Sequence, residues 1–275
     1  MKNHHIELLF DFLNTPLDSG DTLFRRFAVL PGAIAEEGTE PLRRYVYIPG
    51  TRKDRVVLVA HLDTVWDKAY NAPFSEARSV IFENGIFKSA NPACGIGADD
   101  RAGCAILWEL RNCGHSILLT DGEEHGKLGA NYLKTTNPRL FRTLNRHRYM
   151  IEFDWKGTNC CLFNQVDNTK RFKKHVADKL GFVDSHAHGG TDLGVLCRRI
   201  CGVNLGIGYD GWHTRQEQLV LSDWENTLEK VRIFLNEKQS KFYCRILPRY
   251  IRFAKRCIGK IKRILLTCLR KNTSV

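Results

Sequence analysis

Val56-Val57-Leu58-Val59-Ala60 is the stretch that most narrows what this chain can fold into. It is a continuous apolar run, rich in β-branched side chains and without a polar face. A strand made of it must be covered on both sides, as in parallel α/β sheets. It ends in His61-Leu62-Asp63. Ile117-Leu118-Leu119 and Tyr149 to Asp154 repeat the pattern and also run into acidic residues. Val203 to Tyr209 reads as the last strand and leads into Gly211-Trp212-His213-Thr214. Helical spacing is expected over Ile6 to Leu13, Ala102 to Leu110 and Lys170 to Leu180. A short helix capped by Asp21 or Thr22 runs through Arg26, another opens at Thr191-Asp192, and Ser222 caps a long one to about Lys238. Arg44 to Ile48 reads as an edge strand, and Cys161 to Phe163 as a neighbour of the strand ending at Asp154. Val80 to Phe82 and Ile86 to Lys88 form a hairpin around Glu83-Asn84-Gly85. This order predicts an α/β fold with a doubly wound, mostly parallel mixed sheet flanked by helices. In such sheets ligands bind where strands end, at the carboxyl edge.

Two acidic motifs fall at that edge: Gly97-Ala98-Asp99-Asp100-Arg101-Ala102-Gly103 and Thr120-Asp121-Gly122-Glu123-Glu124-His125-Gly126. Neighbouring carboxylates in a partly buried site repel by several kcal/mol, or one takes up a proton, unless a cation sits between them. Either pair alone reads as a solvated turn. Both together, with histidines delivered to the same edge, point to metal. The candidate ligands are His61, Asp99, Glu124, Asp154 and His213. Imidazole with carboxylate suits zinc, with manganese or cobalt as alternatives. Five ligands divide between two divalent ions about 3.5–4 Å apart that share one carboxylate. The assignment gives the first ion His61, Asp99 and Asp154, and the second Asp99, Glu124 and His213. Asp63 is placed to fix the tautomer of His61. Glu123 is the candidate general base. Glu152 rivals Asp154, because both lie on the same strand face. His188 and Asp192 have a possible substrate-side role; His115, His125, His147 and His175 are expected at the surface.

The motifs carry a resemblance. Val59-Ala60-His61-Leu62-Asp63-Thr64-Val65, the Asp99-Asp100 motif, the Glu123-Glu124 motif, Glu152-Phe153-Asp154 and Gly208-Tyr209-Asp210-Gly211-Trp212-His213-Thr214 resemble, in order, the motifs of the co-catalytic zinc exopeptidase superfamily. The resemblance covers about residues 5 to 238. It implies a dinuclear metal-dependent hydrolase of amide bonds, with Asp99 as the bridging ligand. Many relatives carry an inserted lid domain between the fourth and fifth ligands, but the span from Asp154 to His213 has no room for one. The layout resembles the single-domain aminopeptidases, although Asp-Asp-Arg-Ala-Gly leans towards the lidded tripeptidases. An aminopeptidase acting on peptides is favoured, with a carboxypeptidase or an N-acyl amino acid deacylase as the alternative. A reading of another class is a non-catalytic binding or membrane-anchored protein on a peptidase fold.

Of the 275 residues, eleven of the last 37 are Lys or Arg and none of these is acidic. The net charge of +12 therefore belongs to a basic tail over 239–275, and the catalytic domain expected over 1–238 is near neutral. In the tail Ile251, Ala254, Ile258, Ile261, Leu265 and Cys268 follow at helical spacing, with basic residues off the stripe. Such a segment meets an anionic membrane surface, nucleic acid or an acidic partner, or docks on its own body. Ten cysteines without a CxxC pair, and a start without signal-peptide features, lead to an expected cytoplasmic setting, with a peripheral membrane position possible through the tail.

Overall fold

The computed structural model describes residues 2–17, 20–67, 79–90 and 93–245. The apolar stripe of the tail falls outside them. Apolar runs set the sheet. β3 (Val57–His61), β6 (Ser116–Thr120) and β10 (Gly202–Gly206) are buried at every position. So is β7 (Met150–Trp155) up to its last residue. These four strands are parallel neighbours at the centre of an eight-stranded sheet. Outside β6 lie β2 (Arg44–Ile48) and β1 (Ile34–Glu37), both antiparallel. Beyond β10 come β8 (Cys160–Leu162) and β9 (Val183–Asp184). Two expectations are corrected here. Arg44 to Ile48 is not an edge strand, because the mostly exposed β1 pairs outside it. Cys160–Leu162 neighbours β10 and not β7.

Alternation along β3 divides the core in two. Val56, Leu58 and Ala60 face one layer with α1 (Lys2–Leu13), α3 (Ala98–Leu110), α6 (Lys170–Leu180) and α8 (Leu221–Asn236). Val57 and Val59 face the other, with α4 (Leu128–Thr136), α5 (Pro138–Leu144) and α7 (Leu193–Leu196). Each fully buried Val or Leu contributes about 1.5–3 kcal/mol, so helices on both faces are what make an unbroken apolar strand stable. α2 (Asp21–Ala28) starts after Gly20, with Asp21 paired to Arg25 at 2.7 Å and no side-chain cap. α8 likewise follows Val220 without a side-chain cap, so Ser222 lies inside the helix.

A second sheet of four strands joins the hairpin β4 (Val80–Glu83) and β5 (Ile86–Ser89) to β12 (Gln218–Val220) and β11 (Tyr209–Asp210). Gly85, with φ of 82°, supplies the left-handed turn. The stretch expected as one last strand is thus two: β10 stays in the large sheet, and β11 starts the small one. Between Asp154 and His213 the chain forms β8, β9 and β10 of the large sheet and the helices α6 and α7. No lid is inserted there. Among the described residues no helix is long and apolar enough to cross a membrane.

Candidate metal centre at the carboxyl edge

β3, β6 and β7 end side by side and deliver His61, the Asp121–Glu124 turn and Asp154 to one place. The Asp99-Asp100 pair adds two acids at the start of α3, where both residues leave helical geometry and the peptide between them is cis. Their carboxylates separate. Asp100 turns inward, its Oδ2 accepting the His61 N–H at 3.0 Å and its Oδ1 the Gly103 N–H at 3.1 Å. Asp99 faces the imidazoles. Its Oδ1 lies 3.0 Å from His61 Nε2, and its Oδ2 lies 3.2 Å from His213 Nε2. Asp154 Oδ1 is 3.3 Å from His61 Nε2, and Glu124 Oε1 is 2.8 Å from His213 Nε2. All five candidate ligands therefore meet at this edge. Glu152 instead accepts the Asp192 N–H at 3.2 Å.

Asp63 ties the centre together. Its Oδ1 accepts the Glu123 N–H at 3.1 Å and its Oδ2 the Glu124 N–H at 3.3 Å, which holds the Glu123-Glu124 turn against β3. His61 Nδ1 lies 3.0 Å from the Asp63 carbonyl and 3.3 Å from Asp63 Oδ1. With acceptors on that side, Nδ1 carries the proton, and the Nε2 lone pair of a neutral ring faces carboxylate oxygens. Lone pair against carboxylate is repulsive unless a proton or a metal ion lies between. The donor set fits a metal: ligand atoms around tetrahedral zinc at about 2.0 Å lie about 3.3 Å apart, the spacing of His61 Nε2 and Asp154 Oδ1. His61, Asp99 and Glu124 also present ligand atoms within 4.8 Å of one another, as do His61, Asp100 and Asp154. Asp100 belongs to the second group by distance, but both its oxygens already accept backbone N–H groups.

The protein alone leaves this charge in tension. Burial pushes the pKa values of Asp154 and Glu124 up. At Asp99 burial is outweighed by His213 and His61, which hold its carboxyl below the usual range. At His213 burial is outweighed by Asp99 and Glu124, which raise the imidazole to about 10. His61 is raised well above its ordinary value, because Asp154, Asp63 and Asp99 together overcome burial.

Glu123 lies beside the centre, 8% exposed. Its Oε1 pairs with Lys127 Nζ at 2.7 Å, which fixes the carboxylate. Asp99, Glu123, Glu124, Asp154, Lys156 and His213 line a cleft with room for about 210 Å³. His188 also lines it, whereas Asp192 is buried beneath.

Sequence reasoning missed several supports. Glu217 is 1% exposed, and its carboxylate accepts the N–H groups of Gly97 at 2.7 Å and Asp99 at 3.2 Å. It shapes the turn that aims Asp99. Asn204 donates to the Asp154 carbonyl at 2.7 Å and reaches Asp154 Oδ2 at 3.3 Å. Arg101 is fully buried and donates to the carbonyls of Thr15 and Pro16. Two of the histidines expected at the surface are buried. His115 Nδ1 accepts the Val56 N–H at 3.0 Å and Nε2 donates to the Leu235 carbonyl at 3.0 Å. His147 Nδ1 faces the carbonyls of Thr143 and Leu144, and Nε2 lies 2.9 Å from Ser116 Oγ.

A mixed sheet with paired acids and imidazoles at its carboxyl edge defines a metal-dependent hydrolase. Residues 45–183 match the model of peptidase family M28. The chain belongs to that family, and it is a metallopeptidase-type enzyme. Among solved structures it is similar to an aminopeptidase PepT from Bacillus cereus (TM-score 0.62, 14% identity, covering 86% of this chain and 98% of the other). It is also similar to a tripeptidase from Staphylococcus aureus (0.62, 13%, 86% and 99%) and to an aminopeptidase from the archaeon Desulfurococcus kamchatkensis (0.60, 13%, 86% and 96%). At these identities the likeness is one of fold. A search of curated proteins finds no match.

Proposed function

We propose that the chain is a dinuclear aminopeptidase that hydrolyses the amino-terminal amide of peptides. One ion, most readily zinc, with manganese or cobalt also compatible, would be held by His61, Asp99 and Asp154. The other would be held by Asp99, Glu124 and His213. The observation that carries this reading is the pose of Asp99, whose two oxygens face two different imidazoles. When bound, such a pair of ions polarises the scissile carbonyl and lowers the pKa of water towards 7. Glu123 Oε2 takes the proton of the attacking water and passes it to the leaving amine, while Lys127 keeps the carboxylate oriented. Asp63 holds the His61 ring and the Glu123-Glu124 turn in register. The amino end of the substrate is favoured because the structural neighbours include aminopeptidases and a tripeptidase. A cleft this small suits one end of a peptide. Carboxypeptidase and N-acyl deacylase activities use the same centre and are the second reading.

The division proposed is a catalytic body over 1–238 and a basic tail over 239–275, with Gln239 to Cys244 as a joint that packs on the body: Phe242 is buried, and its N–H donates to the Arg148 carbonyl at 3.1 Å. The tail is read as meeting an anionic membrane surface or nucleic acid. A cytoplasmic setting is proposed because all eight described cysteines are free. The test is a panel of aminoacyl, amino-blocked and N-acyl substrates, assayed with zinc, manganese and cobalt. Cleavage of free-amine peptides that disappears in Glu123→Gln with metal content intact supports the assignment. Retained metal without hydrolysis of any amide would instead favour a binding protein on a peptidase fold.

A further inference from the structure

The amino edge of the same sheet gathers the opposite charge. Three segments enter parallel strands there: Arg52 to Arg55 before β3, Arg146 to Arg148 before β7, and Arg198-Arg199 before β10. They touch one another and the end of the body. Arg55 Nε lies 3.2 Å from His147 Nε2, and Lys241 Nζ donates to the Arg146 carbonyl at 3.0 Å. The N–H of Cys244 donates to the Arg199 carbonyl at 3.0 Å. Lys53, Arg55, Arg146 and Arg148 line one hollow with Thr143 and His147, and no acid lines it. Arg52 is neutralised by Asp54 at 3.0 Å. Among the described residues no carboxylate pairs with Lys53, Arg55, Arg146, Arg148, Arg198 or Arg199.

The cations largely reach solvent, so the fold tolerates them, but an unmatched group of this size on a body near neutral overall is complementary to an anionic partner. The local potential leaves a mark on His147: burial, helped by Arg55 and Lys241, pushes its pKa down to about 4. We propose that the amino edge is a docking face for an anionic lipid surface. Two features favour lipid over nucleic acid. Tyr243 is 57% exposed on this face, with Lys241 Nζ 5.0 Å from its ring, and an exposed aromatic among cations suits the headgroup level of a bilayer. The sequence that continues from Cys244 places apolar Ile251, Ala254, Ile258, Ile261 and Leu265 among basic residues. A lipid interface takes up such a stripe, whereas a phosphate backbone has no use for it. Because the candidate metal centre lies at the other end of the same strands, a chain held this way keeps its cleft open to solution. The inference does not depend on the peptidase reading.

The test is co-sedimentation of the full chain with phosphatidylcholine vesicles, with and without phosphatidylserine. Binding is expected only with phosphatidylserine and is expected to fall with salt. Each basic residue near an anionic surface contributes about 1 kcal/mol. The triple variant Lys53→Gln, Arg146→Gln, Arg148→Gln should therefore bind about 100-fold more weakly. Lys53→Arg, Arg146→Lys, Arg148→Lys should bind like the parent chain, which separates charge from folding. Unchanged vesicle binding in the Gln variant would overturn the proposal by assigning all binding to the tail. So would a preference for single-stranded or duplex nucleic acid over phosphatidylserine vesicles.

Discussion

The two edges of one sheet make a natural comparison, best seen in their histidines. At the carboxyl edge His61 and His213 sit among Asp63, Asp99, Glu124 and Asp154, and both are driven towards the protonated form. At the amino edge His115 and His147 are buried where Arg52, Arg55 and Lys241 contribute, and both are driven towards the neutral form. The same residue type in the same sheet thus titrates in opposite directions. The difference teaches which charge the fold can bear unaided. Cations at the amino edge largely reach solvent, where repulsion is weak. Acids at the carboxyl edge are 9% exposed or less in Asp63, Asp99, Glu123 and Asp154, and two imidazoles do not balance them. That edge is built around charge from outside the chain.

The contrast can be broken most severely at Asp99. Asp99→Ala removes the carboxylate that faces both imidazoles, and it should abolish binding of both ions and reduce turnover to background, as seen by metal analysis and peptide hydrolysis. Glu123→Gln should lower turnover by about 10²–10⁴-fold, the range of a general base, with metal content unchanged. Glu217→Gln weakens the acceptor for the Gly97 and Asp99 N–H groups. A support of this kind typically alters metal affinity by about 10–100-fold, measurable by competition with a chelator. At the other edge the expected effect is one of stability and leaves the metal centre untouched. His147 is neutral in the fold above its pKa of about 4, whereas an unfolded chain takes up the proton near pH 6.5. Between those values the unfolded state binds more protons, so stability falls as pH drops below about 6.5 and levels off near 4. Its contribution to that loss is roughly 3 kcal/mol. Urea unfolding of His147→Gln at neutral and acid pH should show a shallower acid loss than the parent chain.

The centre of the fold was legible because its signals are local. An apolar run without a polar face, as at Val56 to Ala60, has few other uses, and the acids follow directly in sequence. The periphery was not. Ile34-Ala35-Glu36-Glu37 is short, polar and mostly exposed, and it becomes a strand only by pairing with Arg44 to Ile48. The break of Val203 to Tyr209 into two sheets comes just after a register shift between Asn204 and Gly206 and cannot be read from apolarity. Within the site, the five ligand candidates and Glu123 stand in motifs that can be read from the sequence, and the fold brings them to one edge. Glu217 lies in the polar run Arg215-Gln216-Glu217-Gln218, and only folding brings it to Gly97, 120 positions away. His115 and His147 stand beside Gly114 and Arg148, a setting typical of surface loops. Their burial depends on backbone partners in other strands and helices.

The most direct test of the account is a titration of metal-free chain with zinc, followed by calorimetry and by metal analysis of the gel-filtered product. Two ions per chain in the parent, and none in Asp99→Ala, is the predicted result. A folded parent chain that binds no divalent ion at this edge, or an Asp99→Ala variant that keeps both, would contradict it.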